Sequence, residues 1–396
     1  MLAVFVIFAL NGVVIGSWAP RMPTVAEQID ANAGQLGLAL LGASIGMIAA
    51  ASLTGRWCAR FGARALVLVS AVATVGVLPL MAIVGSPLQL GLTLILLGAT
   101  VGMLDVAMNV AAVTVVRRTG RPIMPIFHAG FSFGALAGSL GAAFAAGHDI
   151  ALLGHFLTVS VLTLVVTAVV IKFVPREEAS TVPAEHRPAD RRMLRRPVLW
   201  LLGAIALCSA IVEGASGDWS ALYAVHERGM GEAAAAVTFS VFCVAMAIVR
   251  LLGEQAERRF GAERMLVGGA LVAGGGLLLT ALVPSAAVAF VGFGLAGAGL
   301  AFAFPVALNL AGAVGQRGDG TGGEREIGFV TTIAYSGFLI GPPMIGGVAQ
   351  LTNLEVAVGF CGVIAVLIAP VALAAAAARR REDAEAGERE PALNRR

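Results

Sequence analysis

The side chains of this chain that could do chemistry are few, and most lie inside long apolar runs. Asp105 and Asn109 are four residues apart, which puts a carboxyl and an amide on one face of a helix. His128 follows in the next apolar run, and Glu213, Asp218 and Arg250 lie in runs of the second half. An ionisable group in hydrocarbon is costly and is rarely kept without a use. Each is therefore a candidate for charge pairing or proton exchange, and a carboxyl held now neutral, now charged, is what coupling to a proton gradient requires. Other chemistry is excluded. Cys58, Cys208, Cys243 and Cys361 show no paired spacing, which argues against a disulfide framework and against a metal site. No Gly-x-x-x-x-Gly-Lys phosphate loop occurs. The sequence calls for no cofactor, no metal ion, no nucleic acid and no enzymatic reaction.

The elements that must position these groups follow from composition. With 58% hydrophobic and 13% charged residues in 396, the chain has too little polar surface to cover a water-soluble globule. A bilayer must be its solvent, and the mean hydropathy of +0.88 agrees. Its continuous Ala/Val/Leu/Gly runs are long enough to span as helices, which satisfy their own backbone hydrogen bonds in lipid. Spans are expected near 2–20, 34–55, 65–84, 88–116, 123–146, 151–174, 198–224, 233–252, 265–284, 286–313, 327–350 and 356–378. The first run lacks a basic leader and is too long for a signal peptide. Because it begins almost at Met1, a short arm upstream of it is expected in the natural chain.

Basic residues test this topology. Of 27, 24 fall in alternate loops and the tail, leaving Arg21 and Arg228 on the opposite side and Arg250 inside the eighth span. By the positive-inside rule both termini are cytoplasmic, in a bacterial inner membrane. Arg250 reads as a snorkelling residue near the cytoplasmic end of its span.

The two halves of the sequence match. Arg60-Phe61-Gly62-Ala63 recurs as Arg259-Phe260-Gly261-Ala262, Asp105 to Asn109 as Pro305 to Asn309, and Gly16-Ser17-Trp18 as Gly217-Asp218-Trp219, at offsets of 199 to 201 residues. The expected plan is an all-α integral membrane protein of twelve transmembrane helices in two pseudo-symmetric six-helix halves, 1–174 and 198–378. A cytoplasmic linker, 175–197, joins them, and a cytoplasmic tail covers 379–396. Two parallel repeats of this kind hold a solute near the midplane between them.

On these residues the chain resembles the major facilitator superfamily over nearly its full length. The superfamily's loop signature Gly-x-x-x-Asp-Arg-x-Gly-x-Arg appears as Gly55-Arg56-Trp57-Cys58-Ala59-Arg60-Phe61-Gly62-Ala63-Arg64, with Ala59 in place of the aspartate. The resemblance implies a cytoplasmic gate at Gly55, Arg60, Gly62 and Arg64. Asp105 with Asn109, and Phe304-Pro305 before Asn309, are similar to the fucose-permease-like branch and its bacterial relatives. Gly337 to Gly347 resembles a Gly-Pro-rich motif of drug exporters, but here it lies in the eleventh span, whereas that motif belongs to the fifth.

Asp105 lies about 18 Å along its helix from Arg117 at about 1.5 Å per residue, near the midplane. It is the expected coupling acid, with Asn109 and His128 sharing its polar patch; the plain alternative is a fixed interhelical hydrogen-bond knot. Glu213, about 24 Å along the seventh span from Pro197, is read toward the outer half as a second coupling candidate. Asn11, Ser17, Trp18, Asn109, Asp218, Trp219, Asn309 and Tyr335 are the candidate cavity residues. For Asp218 with Trp219, and for Trp18, the alternative is an end charge and belt anchors at the outer interface. The function these calls support is a monomeric, proton-coupled carrier moving a small, partly polar solute across lipid by alternating access. A proton-driven exporter of amphipathic compounds and a non-transporting receptor or scaffold are its rivals.

Overall fold

The computed structural model describes residues 1–119, 123–175, 195–315 and 323–393, so the expected linker falls largely outside the described residues. Twelve helices are long and apolar enough to cross a membrane. We number them α1 (Leu2–Trp18), α2 (Ala33–Phe61), α3 (Ala63–Val77), α4 (Pro87–Thr119), α5 (Met124–Gly147), α6 (Leu152–Val170) and α7 (Pro197–His226). Then follow α8 in two segments (Glu232–Leu251 and Gly253–Phe260), α9 (Ala262–Leu282), α10 in two segments (Ala286–Leu300 and Ala303–Gly315), α11 (Glu324–Leu351) and α12 (Leu354–Leu393). The first six and last six form two pseudo-symmetric halves.

Several helices run further than apolarity alone indicates. α2 continues through Gly55 to Phe61, α8 through a one-residue break to Phe260, and α12 past residue 378 to Leu393. Helix hydrogen bonding does not stop where the hydrocarbon does, so charged turns extend the rods beyond it. The repeat is visible in backbone geometry. Gly62 and Gly261 end α2 and α8 at φ of 81° and 77°, a left-handed conformation that side chains resist. Beside them the guanidinium groups of Arg60 and Arg259 lie over the rings of Phe61 and Phe260, at 5.2 and 5.6 Å.

Within lipid there is little hydrophobic drive between helices, so close packing must hold them, and small residues make that possible. α1 and α5 meet on interleaved glycines: a Cβ added at Gly12 would lie 2.1 Å from the Phe131 carbonyl oxygen, and one at Gly134 1.9 Å from that of Ala9. Gly134→Val is therefore expected to lower thermal stability in detergent by about 1–3 kcal/mol or more through overpacking. Gly141→Ala, at a position with nothing within 4 Å of the added Cβ, should leave the melting temperature in place. Equal effects of the two changes would show that backbone contact between α1 and α5 does not hold this half together.

The halves touch from the middle of the bundle outward, toward the end opposite the termini. There Gly37 of α2 faces Gly346 of α11 so closely that a Cβ on either would come within 2.9 Å of the other's Cα. The Gly34 amide donates to Gln350 (3.3 Å), the Ser44 hydroxyl to the Phe338 carbonyl (2.7 Å), and the Ser240 hydroxyl to Ser139 (2.8 Å). Buried Arg21 pairs with Glu232 across the halves at 3.6 Å and donates to the Ile150 carbonyl at 3.2 Å. One apolar core runs through both halves, including Val14, Leu40, Trp219 and Ile345. A second, built from Phe8, Val67, Met108, Phe127 and Val174, is confined to the first half near the termini. The halves part on that side.

Candidate functional site

Between the parted halves lies a set of polar side chains from five helices. Asp105 is at the middle of α4. Its side chain is exposed in area yet enclosed by protein on most sides, as a group lining an interior cleft must be. Asn109, one turn on, donates to the Asp105 carboxylate at 3.3 Å and to its backbone carbonyl at 2.8 Å. No ion pair to Asp105 occurs among the described residues. Tyr335, mid-way along α11 and exposed, lies within electrostatic reach of Asp105 from the other half.

His128 is exposed near the start of α5. Its ring meets the buried Phe8 ring edge-on at 5.3 Å, no hydrogen bond joins it to Asp105, and the charge it feels is that of Arg250. Of the expected trio, Asp105 and Asn109 are hydrogen-bonded to each other, and His128 bonds to neither among the described residues.

Arg250 lies near the end of its span, as expected, but with partners that the sequence did not indicate. Its Nη2 donates to Glu213 at 3.2 Å, and its Nε donates to the Ala301 carbonyl at 3.3 Å. The pair fixes the depth of both residues. Arg250 lies in the last turn of the first α8 segment, but its guanidinium is held by Glu213, about mid-way along α7, and by the Ala301 carbonyl, so it turns inward and does not snorkel to the interface. Both keep roughly a third of their side-chain area exposed, at 38% and 27%, so they form part of the cleft lining. The available signal was an arginine in one span and a glutamate in the preceding one, but not their register.

Four candidate cavity residues are packed away from the cleft in this conformation. Asn11, Ser17, Trp18 and Trp219 are 1%, 0%, 8% and 1% exposed. Ser17 bonds back to the Val13 carbonyl at 2.7 Å, and Asn11 reaches the Met108 sulfur at 3.9 Å. The two tryptophans are not belt anchors, because the closed end of the bundle surrounds them with protein where the sequence suggested lipid and water. Asp218 is half-buried in the same region and is not a solvated end charge. Asn309, in the second segment of α10, is exposed on the open side, as its counterpart Asn109 is in part.

The loop signature is built as a helix corner. Arg64 donates from Nε to the Val174 carbonyl at 2.6 Å and from Nη2 to that of Lys172 at 2.7 Å, satisfying the end of the first half's last span. Gly62 supplies the turn, and Gly55 faces open space. His155, buried without a hydrogen bond to either ring nitrogen, lies against Phe156. Cys208, Cys243 and Cys361 form no disulfide.

The arrangement is a polar cleft between two repeated helix bundles, open on one side, with a carboxyl, two amides, a phenol and an ion pair along it. The sequence profile described as Major Facilitator Superfamily matches residues 4–322. The chain is 33% identical over 377 residues to an uncharacterized MFS-type transporter of Yersinia pestis, covering 94% of each chain. It is 28% identical to the membrane protein MosC of Rhizobium meliloti, covering 91% of this chain and 86% of that one. Among solved structures, a variant of the nucleoside transporter NupG superposes with a TM-score of 0.80 at 11% identity, covering 94% of this chain and 99% of the other. A bacterial homolog of the human lysosomal transporter Spinster, inward-facing and occupied, gives 0.73 at 15% identity, covering 95% and 96%. The Escherichia coli fucose:proton symporter FucP gives 0.62 at 17%, covering 94% and 98%. The chain belongs to the Major Facilitator Superfamily and is a multi-pass membrane transporter, not an enzyme.

Proposed function

We propose that this transporter is a proton-linked carrier of a small, partly polar solute, and that Asp105 is its coupling acid. The observation that supports the reading is a single one: at mid-depth in the cleft stands a carboxyl with an amide partner and no described cation. Glu213, by contrast, is already matched by Arg250. An isolated acid in a low-dielectric cleft is costly when charged, so proton uptake relieves it, whereas a paired acid has no such need. Tyr335 and Asn309 from the second half and Asn109 from the first offer hydrogen bonds to a solute between them. With the positive-inside rule placing both termini in the cytoplasm, the parted side is cytoplasmic and the conformation is inward-facing. The gate read at Gly55, Arg60, Gly62 and Arg64 is then the open one, which agrees with the empty space around Gly55. A monomer suffices, because the cleft is complete within one chain.

The test has two steps. A panel of polar solutes is screened for thermal stabilisation of the purified protein, since a ligand of the folded state raises stability by mass action. The stabilising solute is then followed in proteoliposomes under an imposed pH gradient. Uptake driven by inward proton flow is expected. Net flux of amphipathic compounds against inward proton flow would favour the exporter, and binding without any flux would favour the scaffold.

A further inference from the structure

The two segments of α10 meet at Ala301–Phe302, and the cause is in the sequence four residues on. Helix bonds run from each amide to the carbonyl four residues earlier, and the residue that should bond the Ala301 carbonyl is Pro305, which has no N–H. A buried carbonyl left without a donor is expensive. Val306 resumes the helix by donating to Phe302 at 2.9 Å. The Arg250 Nε fills it, at 3.3 Å, while Nη2 holds Glu213 of α7. The break in α8 at Leu252 adjoins that in α10. A Cβ added at Gly253 would lie 3.0 Å from the Phe302 ring. In the first half, Asp105 stands where Pro305 stands in the repeat, its amide intact, and α4 is unbroken.

We propose that Arg250 is a positioning residue of the transport cycle: its guanidinium substitutes for the missing Pro305 amide, and so ties the angle of the second α10 segment to Glu213. That segment, Ala303–Gly315, carries Asn309 to the cleft. A change of partner at Glu213 is thereby transmitted to a helix on the open side of the molecule. The inference deepens the carrier reading by assigning a role to the ion pair which that reading leaves outside proton exchange. It needs neither the solute nor proton coupling to be tested.

The experiment is hydrogen–deuterium exchange on the full-length protein in detergent, read at peptides covering Phe302 to Leu308. Arg250→Gln is expected to speed exchange at the start of the second segment by about tenfold, the loss of one hydrogen bond. Arg250→Lys, whose compact ammonium cannot serve two partners in a fixed fork, should fail to restore it. Pro305→Ala supplies the missing amide, so the double variant Arg250→Gln with Pro305→Ala should return to wild-type protection. In parallel, the maleimide labelling rate of a cysteine introduced by Ala313→Cys, at the exposed end of the segment, should shift with Arg250→Gln and return in the double variant. Glu213→Gln, which folds with the arginine still present, should give an intermediate loss of protection. Unchanged exchange in Arg250→Gln would overturn the proposal. So would a double variant that stays unprotected, since the arginine would then act through something other than the Ala301 carbonyl. Because no transport is measured, failure here would leave Asp105 coupling untouched, and loss of coupling would leave this result untouched.

Discussion

Asp105→Asn is expected to abolish solute accumulation driven by a pH gradient, to the level of empty liposomes, while solute binding and solute exchange persist. The asparagine keeps the shape of the side chain and can still bond Asn109, which now donates to the carboxylate at 3.3 Å. What it loses is the proton. In a carrier that returns only with the acid neutral, a permanently neutral group lets the halves move without proton release, so exchange of labelled for unlabelled solute survives while coupling does not. The measurement is counterflow beside gradient-driven uptake, in the same proteoliposomes. His128→Gln is the control: it replaces a ring that lies against Phe8 and should at most displace the pH optimum. An Asp105→Asn protein that still accumulates solute with full proton dependence would move coupling elsewhere, with Glu213 the next candidate.

The second large effect concerns the closed end. The Ser139 and Ser240 hydroxyls meet at 2.8 Å across the halves, in a buried contact between α5 and α8. Replacing both serines by cysteine places two sulfurs where a bond of about 2.05 Å can form with modest adjustment. Oxidation of the Ser139→Cys with Ser240→Cys protein is expected to stop transport completely, and reduction to restore it. A rocking motion that opens this end must pull α5 from α8, and a covalent bond cannot stretch to allow it. Single cysteines should transport normally under both conditions. A cross-linked protein that still transports would mean that the halves do not separate here, and that the cleft is reached by another movement. The Arg21–Glu232 pair, 3.6 Å apart, lies on the same seam and must also break.

The interleaved glycines show how much packing was readable from sequence. Small residues four apart at Gly134 and Gly138 imply a close helix neighbour, and α1 is that neighbour, reciprocated by Gly12 and Gly16. Which helix would take the other side of the contact was not readable, because glycine spacing states distance of approach and not identity of partner.

The sequence by itself determined the twelve spans, their alternation, the repeat and the Asp105–Asn109 pair. These are properties of local periodicity and hydropathy, in which the lipid dictates the answer residue by residue: an apolar run must be helix, and residues four apart must share a face. Only the tertiary structure decided that Arg250 pairs with Glu213, that it caps the carbonyl Pro305 leaves open, and that Trp18 and Trp219 are buried. The reason is physical. The partner that a charged side chain meets depends on how its helix is rotated and packed against the next, which spacing along one helix does not encode, so neither Arg250 nor Glu213 names the other. Burial of the tryptophans depends on which end of the cleft is shut, and that is settled by the packing of one half against the other, a choice between two states of the same sequence.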